Sequence, residues 1–195
     1  MNPERTGSPM SRRRFLKLSA VAGAALAGGS ALLMGGSTEH YRKLLPPGAR
    51  PHVLSEKELA VLAAVTDRLF PAEPGWLSTR DARLAERIDK ELSFQSPRMQ
   101  SDFKAALLLV EHGGLLHGGF TRFTRLSPAE QDARLERMAE GPELERQVVG
   151  ALRVMGNFFY YADERTWDAI HYEGPHVEIP APPLADSRIA PRKEG

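Results

Sequence analysis

The sequence predicts an all-α fold: a compact bundle of about five to six helices between a basic N-terminal segment and an extended Pro-rich C-terminal tail. Three observations predict it. Apolar residues recur every three or four positions over several stretches, the period of a helix with one buried face. Ser-Pro and Ser-x-x-Glu devices stand just before such stretches, where the first amides of a helix need acceptors. No stretch of useful length alternates apolar and polar residues as a half-buried strand would. No self-similarity at a solenoid period is present.

The elements follow in order. Residues 38–53 hold Pro46, Pro47, Gly48 and Pro51 and read as a linker, so order is expected from Leu54. Ser55 and Glu58 form a capping box, and Leu54 with Leu59 a hydrophobic staple. Leu59, Leu62, Ala63, Thr66, Leu69 and Phe70 then recur at helical spacing until Pro71. After a loop around Pro74, Gly75 and Trp76, a second helix is expected from Thr79 to Leu92, with Leu84, Ala85, Ile88 and Leu92 inward. Ser96-Pro97 opens a third, apolar on nearly all sides from Ala105 to Val110, which places it at the centre of the bundle. Gly113-Gly114 ends or loosens it, and Gly118-Gly119 marks a loop. Ser127-Pro128 with Glu130 opens a fourth, which ends at Gly141. Pro142 begins a fifth, with Leu144, Val148, Ala151, Leu152, Met155 and Phe159 in register. Asp163 caps a short last helix with Trp167 and Ile170. The helical domain is therefore assigned to 54–174. Five of the fifteen prolines fall after it, in 175–195, which reads as a tail without its own core.

Charge is unevenly spread. The 195-residue chain has a net charge of +1, but residues 1–37 carry Arg5, Arg12, Arg13, Arg14 and Lys17 against Glu4 alone. The remainder is weakly acidic and offers no electrostatic footprint for nucleic acid. Cysteine is absent, which excludes disulfides, thiol nucleophiles and a C-x-x-C-H haem attachment in this chain. It leaves the redox compartment open.

Within the basic segment, Ser11-Arg12-Arg13-Arg14-Phe15-Leu16-Lys17 resembles the twin-arginine export consensus at every position, with Arg14 in the variable slot. Arg12 and Arg13 are the obligatory pair that this resemblance implies. An uncharged run from Leu18 to Thr38 follows, long enough to cross a bilayer but diluted by Gly23, Gly28, Gly29, Gly35 and Gly36. Residues 1–37 are read as a signal segment, with periplasmic delivery and association with the inner membrane as expectations.

Chemistry is sparse. His112 and His117 are five apart and do not share a helix face cleanly, although the glycines between them allow a bend. His171 and His176 flank Tyr172-Glu173-Gly174-Pro175, which reads as an exposed turn. No G-x-S-x-G, H-E-x-x-H, P-loop or dinucleotide fingerprint is present. Glu86 with Lys90 is an i,i+4 surface pair. Catalytic, cofactor-binding and metal residues are therefore expected to be absent from this chain. The unusual composition is Phe158-Phe159-Tyr160-Tyr161, with Trp167 and Tyr172 nearby. Four consecutive aromatics point around most of a helix turn, so one face cannot bury them all. Two readings stand: a helix corner folded onto its own core, or a contact surface for a partner, since such residues are enriched at interfaces.

The opening "LSEKELAVLAAVTDRLFPAEPG" and the closing "YYADERTWDAIHYEGP" resemble the gluconate 2-dehydrogenase subunit 3 family. The first matches through Leu54, Ser55, Glu58, Leu62, Asp67 and Pro71. The second matches through Trp167, Ile170, Tyr172, Gly174 and Pro175. The chain departs from the pattern at His171, where Gly is common before the Tyr. The resemblance spans roughly 54–175 and implies a non-catalytic small subunit of a periplasmic sugar or alcohol dehydrogenase. It implies partners too: a glucose–methanol–choline type large subunit holding FAD, often a multihaem cytochrome c subunit, and the twin-arginine translocase. The large subunit commonly lacks its own signal and travels folded with the small one. An independent exported enzyme using His112 and His117, and a membrane-tethered scaffold, are the competing expectations.

Overall fold

The computed structural model describes residues 38–70 and 72–174. Six α-helices run through them: α1 (Thr38–Leu44), α2 (Glu56–Leu69), α3 (Leu84–Leu92), α4 (Pro97–His112), α5 (Pro128–Glu140) and α6 (Glu143–Tyr161). Short 3-10 turns fill Gly113–His117, Phe123–Arg125, Glu164–Thr166 and Asp168–Ile170. No strand occurs among the described residues, so the fold is all-α.

The capping devices work as the sequence predicts. Ser55 Oγ accepts from the Glu58 amide, and Glu58 returns an acceptor to the Ser55 amide at 2.7 Å. Ser96 Oγ accepts from the Met99 amide ahead of Pro97. The backbone N–H and the hydroxyl of Ser127 both donate to Glu130.

The centre of the bundle is α2, not α4. Eight consecutive residues of α2, Leu59 to Thr66, are buried, and the helix packs against all five others. Its small residues Ala60, Ala63 and Ala64 let neighbours close in from every side. By contrast α4 leaves Ala105, Ala106 and Leu109 half-exposed.

Order also begins earlier than the prolines of 38–53 suggested. Helix α1 lies against α2, and its Tyr41 is a core residue at 1% exposure. Two buried carboxylates fasten this segment. Glu111 accepts from the Tyr41 hydroxyl at 2.8 Å, the Thr124 hydroxyl at 2.7 Å and the Thr124 amide at 3.0 Å. Asp89 accepts from three successive amides, His52, Val53 and Leu54, at 2.6, 3.0 and 2.8 Å. The prolines shape a bound strap rather than a free tether.

Two further differences have local causes. Helix α3 starts at Leu84 rather than Thr79, because Arg83 adopts a left-handed conformation (φ 50°) and Ser78 and Asp81 hydrogen-bond each other in a turn. Helix α6 is rolled relative to its expected stripe. It buries Glu145, Val148, Val149, Leu152, Gly156 and Tyr160, while Leu144 and Ala151 face outward. The roll is set at Gly156, which lies under the Phe70 ring: a Cβ there would sit 2.8 Å from Phe70 Cζ.

Candidate partner interface

The aromatic run ends α6, and its rings range from buried to exposed. Tyr160 is core: it is 3% exposed, stacks on Phe70 and donates its hydroxyl proton to the Leu77 carbonyl. Burial is the main cause raising its pKa, so the phenol stays a donor. Tyr160 therefore departs from the expected contact surface, because its ring is buried against Phe70 at the end of α2. Phe159 and Tyr161 are half-buried, and Phe158 is 70% exposed.

Beyond α6 the chain turns back as a hook. Asp163 caps the turn by accepting from the Arg165 amide, and its carboxylate also receives the Arg165 and Arg87 guanidiniums at 2.7 and 2.9 Å. Hydrogen bonds from Arg165, then the charge of that guanidinium and of Arg87, outweigh burial and lower its pKa to about 2. Arg87 thus ties α3 to the end of α6. Trp167 donates its indole N–H to the Tyr161 carbonyl at 2.9 Å, and Tyr172 meets the Trp167 ring edge-on at 5.0 Å. Trp167 is half-buried and Tyr172 41% exposed. His171 makes the hook possible by adopting φ 54°, ψ 37°, a region where glycine carries no steric cost. Gly174, at φ 103°, then lies against Trp167. The six expected residues thus stand at one end of the longest helix among the described residues, with Phe158 and Tyr172 the most open.

His112 and His117 share no partner among the described residues. His117 Nε2 pairs with Glu145 Oε1 at 3.0 Å. His112 Nε2 is buried without a partner, and burial is the main cause lowering its pKa, followed by Glu111, which raises it, and Arg122, which lowers it. No group of three or more His, Asp or Glu side chains that could hold a metal exists among the described residues. His171 is exposed, in its turn, as expected.

Asp89 and Glu111 were not singled out from the sequence, and both are fully buried. Their signal was positional. Asp89 lies four residues after buried Ala85, and Glu111 four after buried Leu107, so each acid occupies the apolar arc of its helix. A carboxylate in such an arc needs buried donors.

Ser11, Arg12, Arg13, Phe15, Leu16 and Lys17 lie outside the described residues, as do His176 and the tail 175–195. No described helix is long and apolar enough to cross a membrane. Residues 9–29 match the model of the twin-arginine translocation pathway signal sequence, so the chain is addressed for export to the periplasm. No curated protein and no solved structure matches the chain. Residues 56–174, well over half of the sequence, match the model of gluconate 2-dehydrogenase subunit 3. With its all-α body, its Trp167–Gly174 hook and its export signal, the chain belongs to the gluconate 2-dehydrogenase subunit 3 family.

Proposed function

We propose that this chain is the non-catalytic small subunit of a periplasmic dehydrogenase, and that it escorts a folded flavin-dependent large subunit through the twin-arginine pore and stabilises it afterwards. The observation that carries the reading is a pairing within one chain. An address read for folded cargo precedes a dehydrogenase-subunit body whose buried carboxylates Asp89 and Glu111 are engaged in holding the fold. On this reading FAD and substrate belong to a large subunit of the glucose–methanol–choline type. Haem c belongs to a third subunit, and association with the inner membrane runs through these partners.

The test is co-expression with the large subunit. Replacing Arg12 and Arg13 by Lys should strand both proteins, and the flavin-dependent activity, in the cytoplasm. A large subunit that still reaches the periplasm beside the R12K/R13K chain would refute the escort role.

A further inference from the structure

Helix α6 carries a longer surface, which takes in Phe158 of its aromatic end and runs back along the helix. Leu144, Val154 and Phe158 are 60%, 70% and 70% exposed, and Ala151 is exposed between them. Leu144, Ala151 and Phe158 are spaced by seven, and Gln147 and Val154 fill the intermediate positions by the same step. This is the a/d pattern of a helix that packs along another helix, here on the side facing away from the molecule's own core. Exposed Gly150, whose Cβ would meet nothing within 4 Å, lies beside Ala151 at mid-strip. Small residues there allow close backbone approach.

The strip is uncharged from Leu144 through Gln147, Gly150, Ala151, Val154, Asn157 and Phe158. Other outward faces differ: α5 presents Glu130, Glu136, Arg137 and Glu140, and α3 presents Lys90 and Glu91. Exposed Arg146 and Arg153, also seven apart, line one edge of the strip.

We propose that this strip docks a helix of the companion catalytic dehydrogenase subunit, one with an uncharged apolar seam and carboxylates along the edge that meets Arg146 and Arg153. The assignment rests on the small-subunit reading above. The family supplies the occupant, since a dehydrogenase subunit 3 associates with the other subunits of its enzyme. From Leu144 to Phe158 the strip spans about 21 Å, and a face about 10 Å wide gives on the order of 200 Å². A stable interface needs roughly 800 Å² per partner. The strip therefore suits the apolar centre of a broader heteromeric surface, with the two arginines in its polar rim.

Affinity purification of the full chain, co-expressed with the dehydrogenase subunit, tests this. The double variant Ala151→Glu, Val154→Glu should retain at least tenfold less of the dehydrogenase subunit, with helicity and melting temperature unchanged. Retention at the wild-type level would overturn the strip and leave the small-subunit reading standing. A wild-type chain that retains no dehydrogenase subunit would overturn that reading instead. A photo-crosslinking amino acid at position 154, in an otherwise native chain, guards against a misfolded variant. It should join the dehydrogenase subunit, while the same group at Glu136 on α5 should not. Crosslinks at 154 that join two copies of this chain, or equal yields from both positions, would overturn the assignment.

Discussion

At the scale of single residues, the packing around Gly156 decides how α6 is seated. The Phe70 ring lies on the glycine, and Tyr160, one turn later, stacks on the same ring at 5.6 Å. Alanine ordinarily favours a helix over glycine by about 1 kcal/mol. Here its methyl would overlap Phe70 Cε2 and Cζ, and overpacking costs roughly 1–3 kcal/mol. Two effects oppose each other, and the steric one is larger because both colliding atoms belong to a stiff ring. Gly156→Ala should therefore lower stability by about 1–2 kcal/mol net. Combining it with Phe70→Leu should remove most of the overlap. Urea denaturation of the two variants checks this; a Gly156→Ala chain at least as stable as the wild type would show that Phe70 moves aside freely. His171 is the counterpart in the hook: it holds a positive φ, a conformation that glycine would adopt without steric cost.

At the scale of elements, the strap 45–55 shows where sequence patterns carry information and where they do not. Periodicity and caps located α2, α4 and α5 well, because those signals are local. The strap has neither signal. Its order comes from Asp89 on α3, which accepts three of its amides, and the helix α1 before it is fixed through Tyr41, joined to Glu111 of α4 from 70 residues away. Such long-range hydrogen bonds leave no periodic trace, only an acid misplaced in an apolar arc. For the interface, the aromatic composition was legible, but the division between core Tyr160 and exposed Phe158 depends on the roll of α6 about Gly156. Replacing Asp89 by Ala tests the element directly. Three buried or half-buried amides would lose their acceptor, at about 1–3 kcal/mol for each group left unsatisfied. Since water can reach His52, the total should lie near 3 kcal/mol rather than the full sum. Amide hydrogen exchange at Val53 and Leu54 should accelerate selectively. Unchanged protection at both would mean that Asp89 does not hold the strap.

At the scale of the whole molecule, these engaged groups fix how stability depends on pH. Tyr41 and Tyr160 have pKa values raised above 10, chiefly by burial, so their hydrogen bonds are intact below 10 and fail as pH climbs through the raised values. Asp163 acts at the other extreme. Its carboxyl is held at about 2 by Arg165 and Arg87, so its contribution is present above the ordinary 3.8 and vanishes as pH falls through about 2. His112 governs the range between. Burial lowers its pKa below 6.5, and the folded state holds it neutral while the unfolded chain takes up a proton. The unfolded state then binds more protons, so stability is full above 6.5 and declines as pH falls below it. One such group bends the curve by at most about 1.4 kcal/mol per pH unit. Urea midpoints measured at pH 8 and pH 5.5 isolate it. The wild-type midpoint should drop between the two, and His112→Leu, which removes the ionisation, should lose much less. The other five histidines are common to both proteins, so the comparison isolates His112. An equal drop in the two chains would place the acid sensitivity elsewhere, and the buried, unpartnered Nε2 of His112 would then not be its source.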